Sequence, residues 1–81
     1  MKHIQEFCKD FRTNYLIITL QEVQDNYDIP FKALSAFENG RSTNINHLNT
    51  YYLLCKTQKD RNEFIKGIGD AIILDKQVGV K

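Results

Sequence analysis

Between Thr19 and Gly40 the chain carries a full set of helix boundaries, and no other part of its 81 residues restricts the fold as tightly. Thr19 is followed three residues later by Glu22. That is the spacing of a capping box, in which a hydroxyl and a carboxylate each satisfy an orphan amide at a helix start. Val23 and Tyr27 lie one helical turn apart and form the buried stripe of this helix, and Asp28 is its stop. Pro30 suits the first turn of the next helix, where its missing N–H costs nothing and its φ is preset. Leu34 and Phe37 give that helix an inner face, and Gly40 supplies the left-handed residue that ends it. Two short helices with a tight connection therefore occupy the middle of the chain.

The flanks continue in helical phase. Ile4, Phe7, Cys8 and Phe11 follow the stripe of a first amphipathic helix, and "NYLIIT" after them reads as a connection packed on the core. A fourth helix begins near Asn44, with Ile45, Leu48, Tyr52 and Cys55 on one side. A fifth follows Thr57, with Asp60 as a capping-box partner. Phe64, Ile68 and Ile72 form its stripe, which Ile65, Ile73 and Leu74 widen. Gly67 and Gly69 weaken its middle, each by about 1 kcal/mol relative to Ala. No β-branched alternation bounded by turn signals calls for a strand. The expectation is an all-α fold, a compact bundle of about five helices. It forms one domain over residues 1–75, and 76–81 is a short flexible tail.

Composition limits what such a bundle does. With 42% hydrophobic and 26% charged residues the chain has the make-up of a soluble globular domain. Its formal net charge of +1 means that a nucleic-acid partner must be recognised by local charge and motif, not by bulk basicity. No apolar stretch approaches the roughly 20 residues of a membrane span. The opening "MKHIQEFCKD" carries acids and is no secretory signal, so the protein is expected to be cytoplasmic. Cys8 and Cys55 read as buried, reduced thiols. His3, Cys8, His47 and Cys55 lack close-paired spacing, so no metal site and no cofactor is expected. Nothing suggests an enzyme: there is no nucleophile–base pair, glycine-rich phosphate loop or paired-carboxylate motif.

Residues 18 to 41, "ITLQEVQDNYDIPFKALSAFENGR", resemble the helix-turn-helix of the lambda-repressor-like family, the Xre/Cro type of phages and bacteria. The matching residues are Ile18, Thr19, Glu22, Val23 and Ile29, then Leu34, Ser35, Phe37, Glu38, Asn39, Gly40 and Arg41, with no gap. The likeness extends less sharply over residues 4 to 55. An Arg in the family's first helix commonly pairs with the Glu after the aromatic residue. Arg12 is the candidate here, so the resemblance implies a partly buried ion pair between Arg12 and Glu38. Arg12 stands one residue further from the second helix than usual, and "NYLIIT" must absorb the insertion. The chain also departs from the pattern at Leu20, often Gln, and at Gln24, usually a small residue.

The resemblance implies that the helix after the turn lies in the major groove of double-stranded DNA. Phe31, Lys32, Ser35 and Ala36 would then face the bases, and Thr19, Asn39, Arg41, Ser42, Thr43 and Asn44 the phosphates. Direct readout needs hydrogen-bonding groups matched to base edges, and this helix offers only Lys32 and Ser35. Phe31 has three uses open to it: core, thymine-methyl contact or protein anchor. The resemblance implies a sequence-specific regulator of transcription of phage or mobile-element type that binds as a homodimer, and the last helix, apolar on more than one side, is the expected dimer surface. The alternative is a protein-binding module on the same scaffold, such as a phage inhibitor or adaptor of a host protein. The near-neutral charge, Leu20 and the apolar front of the third helix favour it.

Overall fold

A computed structural model describes the backbone of residues 2–79 and the side chains of residues 2–76. Five α-helices follow one another: α1 (Lys2–Asp10), α2 (Leu20–Tyr27), α3 (Phe31–Glu38), α4 (His47–Leu54) and α5 (Gln58–Gly79). A π-helical turn, Phe11–Tyr15, extends α1. The described residues form no strand, and none of their helices is long and apolar enough to cross a membrane. Of the flexible tail expected over 76–81, residues 80 and 81 lie outside the described residues, and the backbone of 76–79 continues α5 as helix.

Helix α1 buries Ile4, Cys8 and Phe11 and lies along α5. The Leu16 N–H donates to the Phe11 carbonyl at 2.8 Å, a five-residue span that holds one residue more than an α-turn. Asn14 and Tyr15 therefore belong to this turn and not to the connection expected over "NYLIIT". Leu16 and Ile18 pack on the core, whereas Ile17 stands 76% exposed with φ at +55°. A β-branched residue adopts that left-handed backbone only under strain.

Thr19 caps α2 through a complete capping box: its hydroxyl accepts the Glu22 N–H at 3.1 Å, and the Glu22 carboxylate accepts the Thr19 N–H at 3.3 Å. Val23 is fully buried, but Tyr27 is exposed, against the expected two-residue stripe. Asp28 enters the left-handed region and reverses the chain, which brings Ile29 to the core in place of Tyr27. Pro30 precedes α3 as its cap residue, one place earlier than expected. Its ring has no side chain to offer the orphan amides, and Gln24 on α2 does so instead, accepting the Phe31 N–H at 3.0 Å.

Leu34 and Phe37 are fully buried under α3. Its end is a Schellman motif: the Arg41 N–H donates to Ala36 at 2.8 Å and the Gly40 N–H to Phe37 at 3.2 Å, with Gly40 at φ +80°. Helix α4 starts at His47, not Asn44, because three-residue turns fill the approach. The Asn44 side chain accepts the Asn46 N–H at 3.1 Å there. Those tighter turns rotate the helix from its expected phase. Leu48, Tyr51, Leu54 and Cys55 face inward, while Ile45 and Tyr52 are exposed.

At the start of α5 the Thr57 hydroxyl accepts the Asp60 N–H at 3.1 Å. Phe64 and Ala71 are buried, with Ile68 and Ile72 packed beside them. Ile65, Ile73 and Leu74 do not widen this seam; they are exposed. A Cβ on Gly67 would fall onto the Phe7 ring, so the glycine that weakens α5 also lets α1 approach it. Asp75 then closes the bundle by accepting the His3 N–H at 2.8 Å and the Ile4 N–H at 3.1 Å, with His3 Nδ1 at 2.9 Å. A carboxylate from the far end of the sequence thereby caps α1.

Candidate nucleic-acid interface

The pose of α3 is set by one buried carboxylate. Arg12 donates to Glu38 twice, from Nε at 2.7 Å and from Nη2 at 2.8 Å, in a planar two-pronged pair. Its third nitrogen, Nη1, donates to the Ile18 carbonyl at 2.7 Å, so the same side chain holds the segment entering α2. The Tyr51 hydroxyl donates to Glu38 Oε2 at 2.8 Å. Both members of the pair are buried, not partly buried as the resemblance implied, at 6% and 7% exposure. Burial, then the nearby Glu38 charge, push the Tyr51 hydroxyl far above its ordinary value. The same two causes push the Cys8 thiol up to about 12. Gln5 adds a second tether, donating from Nε2 to the Ser42 carbonyl at 2.7 Å.

Held this way, α3 turns its first residues outward. Phe31 is 40% exposed, which removes it from the core, and Lys32 is exposed beside it. Ser35 and Ala36 are half-buried. Beyond the helix, Asn39, Arg41, Thr43 and Asn44 are exposed and Ser42 is half-buried. Asn39 Nδ2 donates to Ser35 Oγ at 3.3 Å, and Ser42 Oγ accepts the Asn44 N–H at 3.3 Å. Among the described residues no hydrogen bond or ion pair holds the Lys32 or Arg41 side chain, so both cations are available to a ligand. The Thr19 hydroxyl is already engaged with Glu22. The four residues expected to face bases, Phe31, Lys32, Ser35 and Ala36, therefore share one short helix, and Asn39 to Asn44 follow it along the chain. Thr19 stands apart at the start of α2.

Two grooves flank Phe31. One, of about 360 Å³, is lined by Gln21, Gln24, Pro30, Phe31 and Lys32. The other, of about 420 Å³, is mainly apolar and runs past Ile17, Ile18, Leu20 and Phe31. The two departures from the family pattern both fall here: Leu20 lines the apolar groove, and Gln24 caps α3.

Sequence reasoning missed Tyr51, Gln5 and the capping role of Gln24. Tyr51 becomes visible once α4 is counted from His47. A glutamine seven residues before a helix start carries no local signal of capping. The four histidines and cysteines are dispersed in role: His3 meets Asp75, the His47 ring lies 5.3 Å from that of Phe37, and Cys8 and Cys55 are buried free thiols. No protein-family profile, no curated protein and no solved structure matches the chain.

Proposed function

We propose that the chain is a sequence-specific DNA-binding regulator of transcription. In this reading α2, residues 28–30 and α3 are a helix-turn-helix of the lambda-repressor type, in a cytoplasmic protein of phage or mobile-element kind. The observation that carries the reading is the pose of α3. Arg12, Glu38 and Tyr51 anchor its C-terminal end in the core, while its N-terminal end shows Phe31 and Lys32 to solvent and unpaired Arg41 follows it. Lys32 is then the base reader, Phe31 and Ala36 touch thymine methyls, and Ser35 supplies a small polar contact. Asn39, Arg41, Ser42, Thr43 and Asn44 bond phosphate oxygens, which set register without reading sequence. Thr19 adds a phosphate contact at the start of α2. Two copies bind half-sites about one helical turn apart, with exposed Ile65, Ile73 and Leu74 of α5 as the surface between them.

Binding to mixed duplex fragments, followed against salt, tests this. Affinity should fall steeply as salt rises, because phosphate neutralisation releases counterions. Arg41→Ala should weaken all sequences alike and lower the salt slope by about 1. Lys32→Ala should cost about 1–3 kcal/mol on the preferred site and relax preference there.

The apolar groove supports a second reading, a protein-binding module on the same scaffold. Ile17 is 76% exposed, held in a strained conformation beside Leu20 and Phe31, and DNA makes little use of such a surface. No duplex binding at low salt would overturn the first reading in favour of this one.

A further inference from the structure

A groove between the π turn and α5 shares no residue with α2 or α3. Phe7, Phe11 and Tyr15 recur at four-residue spacing, and their rings make a continuous row in which Phe11 is buried, Phe7 half-buried and Tyr15 exposed. The Phe7 and Phe11 centroids are 5.5 Å apart, and Phe11 and Tyr15 stack at 4.8 Å with planes 11° apart. The Phe7 ring packs directly on the backbone at Gly67, which closes the inner end of the groove. The space left is about 450 Å³, within the range of ligand-binding clefts. Tyr15 is 41% exposed, so its ring is accessible from the groove.

Around this floor stand the exposed side chains of Asp10, Glu63, Asp70 and Lys66. Three carboxylates against one ammonium is a negative rim on a chain whose formal net charge is +1. An exposed aromatic ring such as Tyr15 also attracts cations, so ring and rim select the same sign. The carboxylates do not converge on a point. Among the described residues no three His, Cys, Asp or Glu are grouped to hold a metal ion. A guanidinium meets these conditions, since it stacks flat on an aromatic face while its N–H groups reach separated carboxylates. An ammonium offers no such plane.

We propose that this groove docks an arginine side chain of a protein partner. The exposed Tyr15 ring takes the face of the guanidinium, half-buried Phe7 lies beneath its methylenes, and Asp10, Glu63 and Asp70 accept from its edges. Lys66 opposes the incoming charge and sets a ceiling on affinity.

The test is fluorescence anisotropy with a labelled nonapeptide carrying arginines spaced by serine and leucine, and with its citrulline counterpart, titrated with the full chain. Citrulline keeps the shape and loses the charge, so its peptide should bind at least about tenfold more weakly. Asp10→Asn, Glu63→Gln and Asp70→Asn combined should weaken the arginine peptide by about tenfold. Glu6→Gln, an exposed acid outside the groove, should leave it unchanged. Lys66→Glu should tighten binding about threefold, a gain that misfolding does not produce. Equal binding of the two peptides would overturn the proposal. So would equal losses from Glu6→Gln and the triple variant, or no binding of the arginine peptide at about 1 mM protein.

Discussion

Glu38 accepts hydrogen bonds from two segments that meet α3 separately, and those bonds leave its carboxylate almost without water. Truncating it strands the Arg12 guanidinium in the core with neither charge nor partner to offset it. Glu38→Ala should therefore cost about 3–5 kcal/mol, read from the denaturant midpoint. Tyr51→Phe removes one of three donors and leaves the ion pair, so its cost should be about 1–3 kcal/mol. An equal loss from both would mean that Tyr51, and not the pair, holds the junction. The two charged members were expected only through the family resemblance, which pairs an Arg near the first helix with the Glu of "FENG". Tyr51 was not, because its side depends on where α4 begins. The short polar turns at Asn44 to Asn46 shift that start without changing any apolar residue.

Among the elements, α5 separates two glycines that look alike in sequence. Gly69 has no neighbour where a Cβ would go, whereas Gly67 lies against the Phe7 ring. Gly69→Ala should stabilise the protein by about 1 kcal/mol through helix propensity. Gly67→Ala gains the same propensity but must displace a ring packed against Phe11 and Phe64, and overpacking costs about 1–3 kcal/mol. Thermal melts of the two variants should move in opposite directions. Helix existence and most boundaries were readable because caps and stops are local chemistry: Thr19 with Glu22, Asp28 and Gly40 each act within a few residues. Tyr27, Ile45, Tyr52, Ile65, Ile73 and Leu74 were placed inward because periodicity gives a stripe but not which part of it meets a neighbour. In α4 the phase changed, and in α5 a single narrow seam against α1 takes what the helix offers. The π turn was not legible, because no side-chain pattern marks which backbone bonds span five residues instead of four.

For the molecule as a whole, the apolar seam between its first and last helices is fastened at one end by a charged group, Asp75. Loss of surrounding water pushes the Asp75 carboxyl up, but the His3 amide, the His3 ring and the Ile4 amide outweigh it and hold the group below its ordinary 3.8. A carboxylate with a depressed folded value contributes stability that is fully present above 3.8 and lost as pH falls through the lower folded value. Asp75→Asn should flatten the acid limb of stability against pH and leave its slope at neutral pH unchanged; an unaltered acid limb would remove Asp75 from this role. No local pattern could have shown the joint, because its partners are more than 70 residues apart. The same distance sets an order of events during synthesis. The capping box of α2 and the Schellman turn of α3 lie within segments the ribosome releases early, so those helices can close while the chain is still growing. Helix α1, although translated ahead of the other four helices, waits for residue 75 before its leading amides have their partner, so the earliest of the five is among the last to be fastened.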